Sequence, residues 1–170
     1  MSARLFEKCP SDRLEKPYFR LPGPRVSCAN FLSYLKVFVP KNVDKPAFFA
    51  FLKNDVTSSG TQVIKFHNVN INKGNYYNPT TGIFTAPRQG IYQISCTIVG
   101  YGTGVFQYQI TLNGKSFTLG NTSTGGSWNS QTSTVLMDLK QGDRVYVESR
   151  GGSQKVHANS NSYFSGYLLQ

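Results

Sequence analysis

Two stretches of the sequence alternate apolar and polar residues with a period of two, and this alternation constrains the fold more than any other feature. In the first stretch, residues 91–99, the apolar positions are Tyr92, Ile94, Cys96 and Ile98. In the second stretch, residues 105–112, they are Phe106, Tyr108, Ile110 and Leu112. A period of two places one set of side chains on a buried sheet face and the other on a wet face. Both stretches are therefore predicted to be strands.

Turn residues connect these strands to others. Asn113-Gly114 directly follows the second stretch, and this dipeptide favours a two-residue hairpin because both positions tolerate positive φ. Residues 115–119 are therefore predicted to fold back as a strand. Further strands are predicted at 47–52, 63–66, 134–139, 143–149 and 163–169, with loops at 120–133 and 150–162. Strands about 8 to 12 residues apart are typical of a sandwich or jelly roll.

The composition favours one all-β domain with an extension. The chain has 170 residues, of which 39% are hydrophobic and 15% charged, so it holds enough apolar material for a packed core. Six of the eight prolines lie within residues 1–46, where they disfavour long helices and central strands. We predict a basic, proline-rich N-terminal extension at 1–46 and a globular domain at 47–170.

The charge points to anionic polymers in general and to no particular one. Eighteen Lys and Arg against eight Asp and Glu give a net charge of +10, and residues 1–46 and 47–170 each hold nine basic and four acidic residues. A positive field attracts polyanions. An evenly spread excess favours solubility over a nucleic-acid footprint, which would show a basic run with interleaved aromatic residues. No specific nucleic-acid partner is expected.

The three cysteines and the first ten residues give evidence on the cellular compartment of the protein. Cys96 faces inward in its predicted strand and is expected to stay reduced. Cys9 and Cys28 lie in the extension and are predicted to pair with each other or to link subunits, where a cross-link constrains the unfolded chain. No apolar run approaches the roughly 18 residues of a membrane span. The first ten residues lack the hydrophobic stretch of a signal peptide, which leaves a cytosolic or a processed chain open.

Six residues at fixed intervals carry a family resemblance. They are Phe66, Asn72, Tyr77, Phe84, Gly90 and Tyr92. This spacing resembles the signature of the complement C1q globular head, a tumour necrosis factor-like jelly roll, and the segments 142–147 and 164–169 look like that family's last two strands. The resemblance covers residues 47–170. It departs from the family at Ile94 and Cys96, where the family usually has aromatic residues, but both substitutes are apolar and suit an inward face.

The resemblance implies a jelly-roll sandwich of about ten antiparallel strands that assembles as a homotrimer. It implies a secreted, non-enzymatic recognition module that binds polymeric or anionic glycan-like ligands through surface loops, in a lectin-like role in innate immunity. Threefold presentation would convert weak contacts into avidity. Two alternatives stay open: a structural extracellular matrix or self-assembling scaffold protein, and a tumour necrosis factor-like receptor ligand.

Four residues in the two predicted loops are candidate ligand-binding residues: Trp128, Arg150, Lys155 and His157. An exposed indole suits stacking on a sugar ring, although tryptophan more often covers a core. The other three residues would form a basic patch, although solvated loop charge is the commoner explanation. Asn121-Thr122-Ser123 is a possible N-glycosylation site in the first loop.

The sequence offers little for catalysis or for metal binding. It contains no Gly-x-Ser-x-Gly elbow, phosphate-binding loop or dinucleotide fingerprint, and neither His67 nor His157 has a second ligand at metal-binding spacing. Calcium needs six to eight oxygen ligands with carboxylates among them, and the segment 120–133 contains no carboxylate. We expect no enzymatic activity, no cofactor and no metal, and calcium in particular is not favoured.

Overall fold

The computed structural model describes residues 18–19, 26–27 and 45–170, apart from 58–59, 126 and 153–154. The chain divides into two compact units, Met1–Val43 and Asp44–Gln170. In the first unit, β1 (Tyr18–Phe19) pairs antiparallel with β2 (Val26–Ser27). Cys9 and Cys28 lie outside the described residues, so their pairing stays a prediction.

The second unit is all-β, with no helix among its described residues. The described residues of this unit form thirteen strands, and ten of them are three residues or longer, which matches the prediction of about ten. They are β3 (Ala47–Phe51), β4 (Val56–Thr57), β5 (Thr61–Val63), β6 (Asn68–Lys73), β7 (Tyr77–Asn78), β8 (Ile83–Thr85), β9 (Gly90–Tyr101), β10 (Thr103–Leu112), β11 (Lys115–Gly125), β12 (Asn129–Leu139), β13 (Arg144–Gly152), β14 (Lys155–Val156) and β15 (Tyr163–Leu168).

The strands form two antiparallel sheets. The seven-stranded sheet has the order β4-β14-β9-β15-β3-β6, and β12 pairs with the opposite edge of β9. The six-stranded sheet has the order β11-β10-β13-β8-β7, and β5 pairs with β13 beyond β8. Each sheet buries one face in a shared core, as expected for an antiparallel sandwich.

The core confirms the alternation seen in the sequence. The inward residues of β9 are buried, including Cys96, and so are Phe106, Tyr108 and Ile110 of β10, whereas Leu112 is only partly buried and Thr111 is buried instead. Burial raises the pKa of the Cys96 thiol. A protonated, inaccessible thiol is a poor nucleophile, so Cys96 acts as a small core residue. The largest fully buried side chains are Tyr77, Tyr92, Tyr108, Phe66, Phe84, Phe106 and Phe164.

Most residues of the six-residue signature are core or turn elements. The Tyr77 hydroxyl donates to the Phe66 carbonyl at 3.0 Å and accepts from the Phe66 amide at 3.1 Å. The Asn72 side chain accepts from the Tyr77 amide at 3.1 Å and donates to the Tyr77 carbonyl at 2.8 Å. At Gly90, a Cβ would lie 2.5 Å from the carbonyl oxygen of Gln170, so only glycine fits without a shift. The signature therefore specifies the scaffold.

The predicted hairpin is confirmed. Asn113 and Gly114 have φ values of 50° and 82°, and Leu112 pairs with Lys115 across the turn. Positive φ at both central residues is the geometry that a two-residue turn needs to match the strand twist.

The predicted loop at 120–133 is wrong over most of its length. β11 continues to Gly125 and β12 begins at Asn129. The polar composition of these strands is typical of a loop, because their outward residues are Ser, Thr and Asn at sheet edges, where water can hydrogen-bond to polar side chains. Asn121 is exposed but lies in a strand opposite Gln107, and not in a loop.

Two other boundaries differ from the prediction. β5 ends at Val63, so residues 64–66 are not a strand although Ile64 and Phe66 are buried. The predicted loop at 150–162 contains the end of β13 and all of β14. Strands β4, β6, β7 and β8 were not predicted either: β4, β7 and β8 have only two or three residues, and β6 has apolar residues at only two of its six positions.

Candidate functional site

The candidate site lies on the outer face of the seven-stranded sheet, at one end of three neighbouring strands. Tyr101 is the last residue of β9, and it lies opposite Lys155 of β14. On the other edge of β9, Asn129 lies opposite Gly100, so Trp128 comes next to Tyr101. Opposed residues on paired strands point to the same face. This register brings Trp128, Tyr101 and Lys155 side by side although they are far apart in sequence.

Three rings form a cluster there. Trp128 stacks on Tyr101, with ring centroids 5.0 Å apart and planes inclined by 22°. His157 meets Trp128 nearly perpendicularly, at 4.4 Å and 78°, and meets Tyr101 at 5.6 Å and 84°. Offset stacking and edge-to-face contacts are the favourable arrangements of aromatic rings. Trp128 is nevertheless 59% exposed, so the cluster supports the indole without covering it.

The Asp55 carboxylate is hydrogen-bonded to the ring cluster and to the residue that follows His157. Its Oδ2 accepts a hydrogen bond from the Tyr101 hydroxyl at 2.8 Å, and its Oδ1 accepts one from the Ala158 amide at 2.8 Å. The Ala158 and Tyr101 donors lower the pKa of the Asp55 carboxyl, against an opposing effect of burial. The same bond to the carboxylate raises the pKa of Tyr101.

Asp55 also faces the imidazole of His157. Its Oδ1 lies 3.3 Å from His157 Nδ1. That ring nitrogen is buried and has no hydrogen bond within the described part of the chain. The contact orients the ring that supports Trp128.

A tight turn fixes the backbone around His157. The Ser162 hydroxyl donates to the His157 carbonyl at 2.7 Å and accepts from the Val99 amide at 2.9 Å. Asn159 and Ser160 both adopt positive φ, at 47° and 64°, a conformation that non-glycine residues adopt rarely and that is often found at functional sites. The turn ties the segment after β14 to the middle strand of the site.

An open depression of about 510 Å³ adjoins the cluster. This volume falls in the range of about 300 to 1,000 Å³ that is usual for ligand pockets. Its lining combines the indole with amide, hydroxyl and imidazole groups and one aliphatic side chain: Val99, Trp128, Asn129, Ser130, His157 and Asn161.

The structure unites part of the predicted ligand-binding set. Trp128 and His157, which come from the two different segments named in the sequence reading, are in ring contact. Lys155 is exposed and lies beside Tyr101 in the strand register. Arg150 is also exposed but belongs to β13 of the six-stranded sheet, opposite Thr61. The four residues therefore lie on two sheets and do not form one basic patch in the strand register.

The sequence reading missed the residues that build the site. Neither Asp55 nor Tyr101 is among the residues that the sequence singles out as candidates. Their role depends on a contact across 46 positions of sequence, which no local pattern reveals. The one available signal in the sequence was that Tyr101 occupies an outward-facing position in the alternating pattern of β9.

The described residues contain no group of three or more His, Cys, Asp or Glu side chains suited to a metal ion. Within the same residues, no helix is long and apolar enough to cross a membrane.

We expect Asp55→Asn to lower the free energy of unfolding at neutral pH by less than about 1 kcal/mol, because the carboxylate is 41% exposed. The pKa of Asp55 is lowered from its ordinary 3.8, so ionisation stabilises the folded state above pH 3.8. That stabilisation is lost as the pH falls through the lower, folded-state pKa. Urea unfolding followed by Trp128 fluorescence should show the difference from the wild type at neutral pH and its disappearance at strongly acidic pH. A difference of equal size at both pH values would contradict this reading.

The fold and the site define the protein as a jelly-roll β-sandwich domain with an aromatic surface at one end. A family model described as the C1q domain matches residues 47–169. The chain therefore belongs to the C1q domain family, and the recognition made from the six signature residues is confirmed.

Similar proteins agree with this assignment. The chain is 33% identical to human Multimerin-2 over 115 residues, which cover 66% of this chain and 12% of that protein. It is 26% identical to mouse Complement C1q tumor necrosis factor-related protein 3 over 125 residues, covering 72% of this chain and 50% of that protein. The chain thus spans half or less of the length of these two relatives.

Solved structures share the fold at low sequence identity. The globular domain of zebrafish Complement 1qA matches 74% of this chain and 98% of its own length, with a TM-score of 0.63 and 17% identity. Murine APRIL matches 74% of this chain and all of its own length, with a TM-score of 0.63 and 14% identity. The jelly roll is thus common to C1q and tumour necrosis factor-like proteins.

Proposed function

We propose that the protein is a secreted, non-enzymatic recognition module that assembles as a homotrimer and binds polymeric or anionic glycan-like ligands. The observation that carries the proposal is the contact between Trp128 and His157, whose ring centroids are 4.4 Å apart. Two separate chain segments converge there on one exposed surface with a lysine beside it. Clustered presentation of a shallow surface is the arrangement from which avidity gains most.

Apolar side chains on the outside of the sandwich support the homotrimer. Phe49, Phe51 and Tyr163 form an aromatic group on the outer face of the seven-stranded sheet, with centroid distances of 4.7 to 6.2 Å. On the same face, Leu136 is 61% exposed. Soluble monomers seldom expose large contiguous apolar patches, and such a face favours contact with another subunit.

A second apolar surface lies at the edge of the other sheet. On the edge strand β11, Phe117 and Leu119 are 46% and 58% exposed. Two unlike surfaces that pair between neighbouring copies make a heterologous contact, which closes into a ring when the rotation permits. A ring of three would cover the face of each subunit with the edge of the next.

The mass in solution tests the assembly. We expect light scattering to give the mass of three chains at micromolar concentration, with dissociation of the variant Leu136→Asp, because burying an unpaired charge at a contact is costly. A monomer at that concentration would contradict the homotrimer. Growth beyond three chains with rising concentration would favour the alternative of a self-assembling matrix or scaffold protein.

Retention on immobilised heparin tests ligand binding. The variant Lys155→Glu should elute at clearly lower salt than Lys140→Glu, which changes the net charge equally but lies just beyond the far end of β12. Retention of the intact chain should fall steeply with salt, since exposed charges are screened beyond about 8 Å at physiological ionic strength. An equal loss of retention in both variants would mean that binding depends on net charge alone. No retention of the intact chain would exclude anionic recognition.

A further inference from the structure

The depression beside Trp128 has a lining that selects the chemistry of its occupant. We propose that it binds one uncharged pyranose unit of a polysaccharide, stacked against the exposed part of the indole. The inference rests on the proposed glycan recognition and deepens it, because it separates a neutral ring site from the cations that attract anionic polymers. Recognition then has two parts with different responses to salt.

The indole of Trp128 is held by neighbouring rings in an orientation that allows a ligand to stack on it. Trp128 is 59% exposed, but Tyr101 stacks on it at 5.0 Å and His157 meets it at 4.4 Å. These contacts restrict the ring before any ligand arrives, and a pre-organised group loses little conformational freedom on binding. The face of a pyranose that carries axial C–H groups is apolar and flat enough to lie on such a ring.

Uncharged hydrogen-bonding groups surround the indole. Asn129 is held in place because its Nδ2 donates to the Ser123 carbonyl at 3.0 Å. The side chains of Ser130 and Asn161 are exposed and make no hydrogen bond to another described residue. Amide and hydroxyl groups both donate and accept, and sugar hydroxyls do the same. The lining therefore offers paired hydrogen bonds around the rim of a sugar ring.

Charge excludes two other kinds of ligand. No Lys, Arg, Asp or Glu lines the depression, so a sulfate or carboxylate would find no fixed charged partner of the kind that binds such groups strongly. Lys155 lies across Tyr101 from the indole, outside the lining. An organic cation lying over the exposed indole face would find no carboxylate in the lining to pair with its charge.

Trp128 is the only tryptophan of the chain, so its fluorescence reports on this depression alone. The intact chain is titrated with uncharged polysaccharides, namely dextran, mannan, galactan and xylan, and with heparin for comparison, at low and high salt. At least one uncharged polysaccharide should protect Trp128 from acrylamide quenching, with an affinity that does not change with salt. Heparin binding should weaken with salt and leave the quenching unprotected.

Variants measured by calorimetry locate the contact. Trp128→Ala should weaken binding of the uncharged polysaccharide by about tenfold or more, as expected for loss of a central aromatic contact, and Trp128→Phe should retain part of it. Asn161→Ala should weaken it less. Tyr76→Ala is the control, because this exposed aromatic residue lies between β6 and β7, outside both apolar surfaces and away from Trp128 in the strand register, and it should leave the affinity unchanged.

The outcomes separate this inference from the proposed function. If no uncharged polysaccharide protects Trp128 while heparin still binds, the neutral site is wrong and anionic recognition stands. If neither class binds, both fail. If Trp128→Ala changes the mass of the assembly, the indole is a contact between subunits, and the neutral site is overturned.

Discussion

Replacing Phe48 with alanine should lower the free energy of unfolding by about 3 to 5 kcal/mol, the usual cost of emptying an aromatic site in a core. Phe48 is only 3% exposed. Its ring stacks on Tyr77 at 5.0 Å and on Phe84 at 4.8 Å, and it meets Phe164 edge-on at 4.9 Å. These partners belong to strands of both sheets, so the cavity cannot close without moving a sheet. Chemical denaturation at one fixed protein concentration measures the change.

A matched control separates packing from general loss of apolar surface. In the Leu136→Asp background, where the proposed subunit contact is lost, Phe117→Ala removes the same side chain from a site that is 46% exposed, and we expect a change below about 1 kcal/mol, since exposed positions tolerate substitution. Phe48→Leu should fall between the two, because it keeps part of the volume. Equal losses for Phe48→Ala and Phe117→Ala would mean that Phe48 is not central to the core.

The Phe48 position also shows which part of the fold the sequence predicted well. Residues 47–52 were predicted as a strand from a short apolar run, and β3 covers Ala47–Phe51. The two long alternating stretches became β9 and β10 because a one-sided core imposes a period of two. Where burial is one-sided and the strand is long, the pattern of residues is sufficient.

Strands at the edges escaped the sequence reading for a physical reason. The end of β11 and the start of β12 carry mostly Ser, Thr, Asn and Gln, whose outward side chains water can satisfy. What makes them strands is backbone pairing along β10 and β9. Gly120 adds to this, because a Cβ there would collide with the ring of Tyr108. The Tyr108 hydroxyl then lies 3.1 Å from Ser133 Oγ on β12.

The candidate site was predictable only in its most conspicuous residues. Trp128 and His157 drew attention because aromatic and titratable side chains in polar segments are unusual. Asp55 did not, since a lone carboxylate near a turn resembles ordinary surface charge. Its hydrogen bonds reach Tyr101 and Ala158, at sequence separations of 46 and 103 residues. Only the strand register of the finished sheet brings these groups together.

The scaffold and the candidate site are stabilised by different kinds of interaction. The site rests on contacts between surface rings, of which Trp128 is the most exposed, and on hydrogen bonds to a half-exposed carboxylate, each of which contributes little to folding. The signature residues act inside the sandwich, where the loss of a hydrogen bond leaves a buried polar group unpaired and lowers the free energy of unfolding. Substitutions at Asp55 or Trp128 should therefore alter binding while leaving a folded domain. Substitutions in the signature should reduce stability first.

Tyr77→Phe provides the sharpest test of that division, and we expect it to cost at least about 1 to 3 kcal/mol although it removes a single oxygen atom. The Tyr77 side chain is fully buried, and burial raises the pKa of its hydroxyl. That hydroxyl is bonded to both the amide and the carbonyl of Phe66. Phenylalanine would leave these two backbone groups buried without partners, while the packing of the ring against Phe48 would remain.

Tyr76→Phe is the matched control, because it makes the same chemical change at the neighbouring residue. Tyr76 is 39% exposed, and water can replace any bond that its hydroxyl makes, so the free energy of unfolding should stay within about 0.5 kcal/mol of the wild type. Both variants should retain polysaccharide binding, since neither residue lies near Trp128 in the strand register. A Tyr77→Phe variant as stable as Tyr76→Phe would show that the Phe66 backbone finds other partners. The signature tyrosine would then serve packing alone.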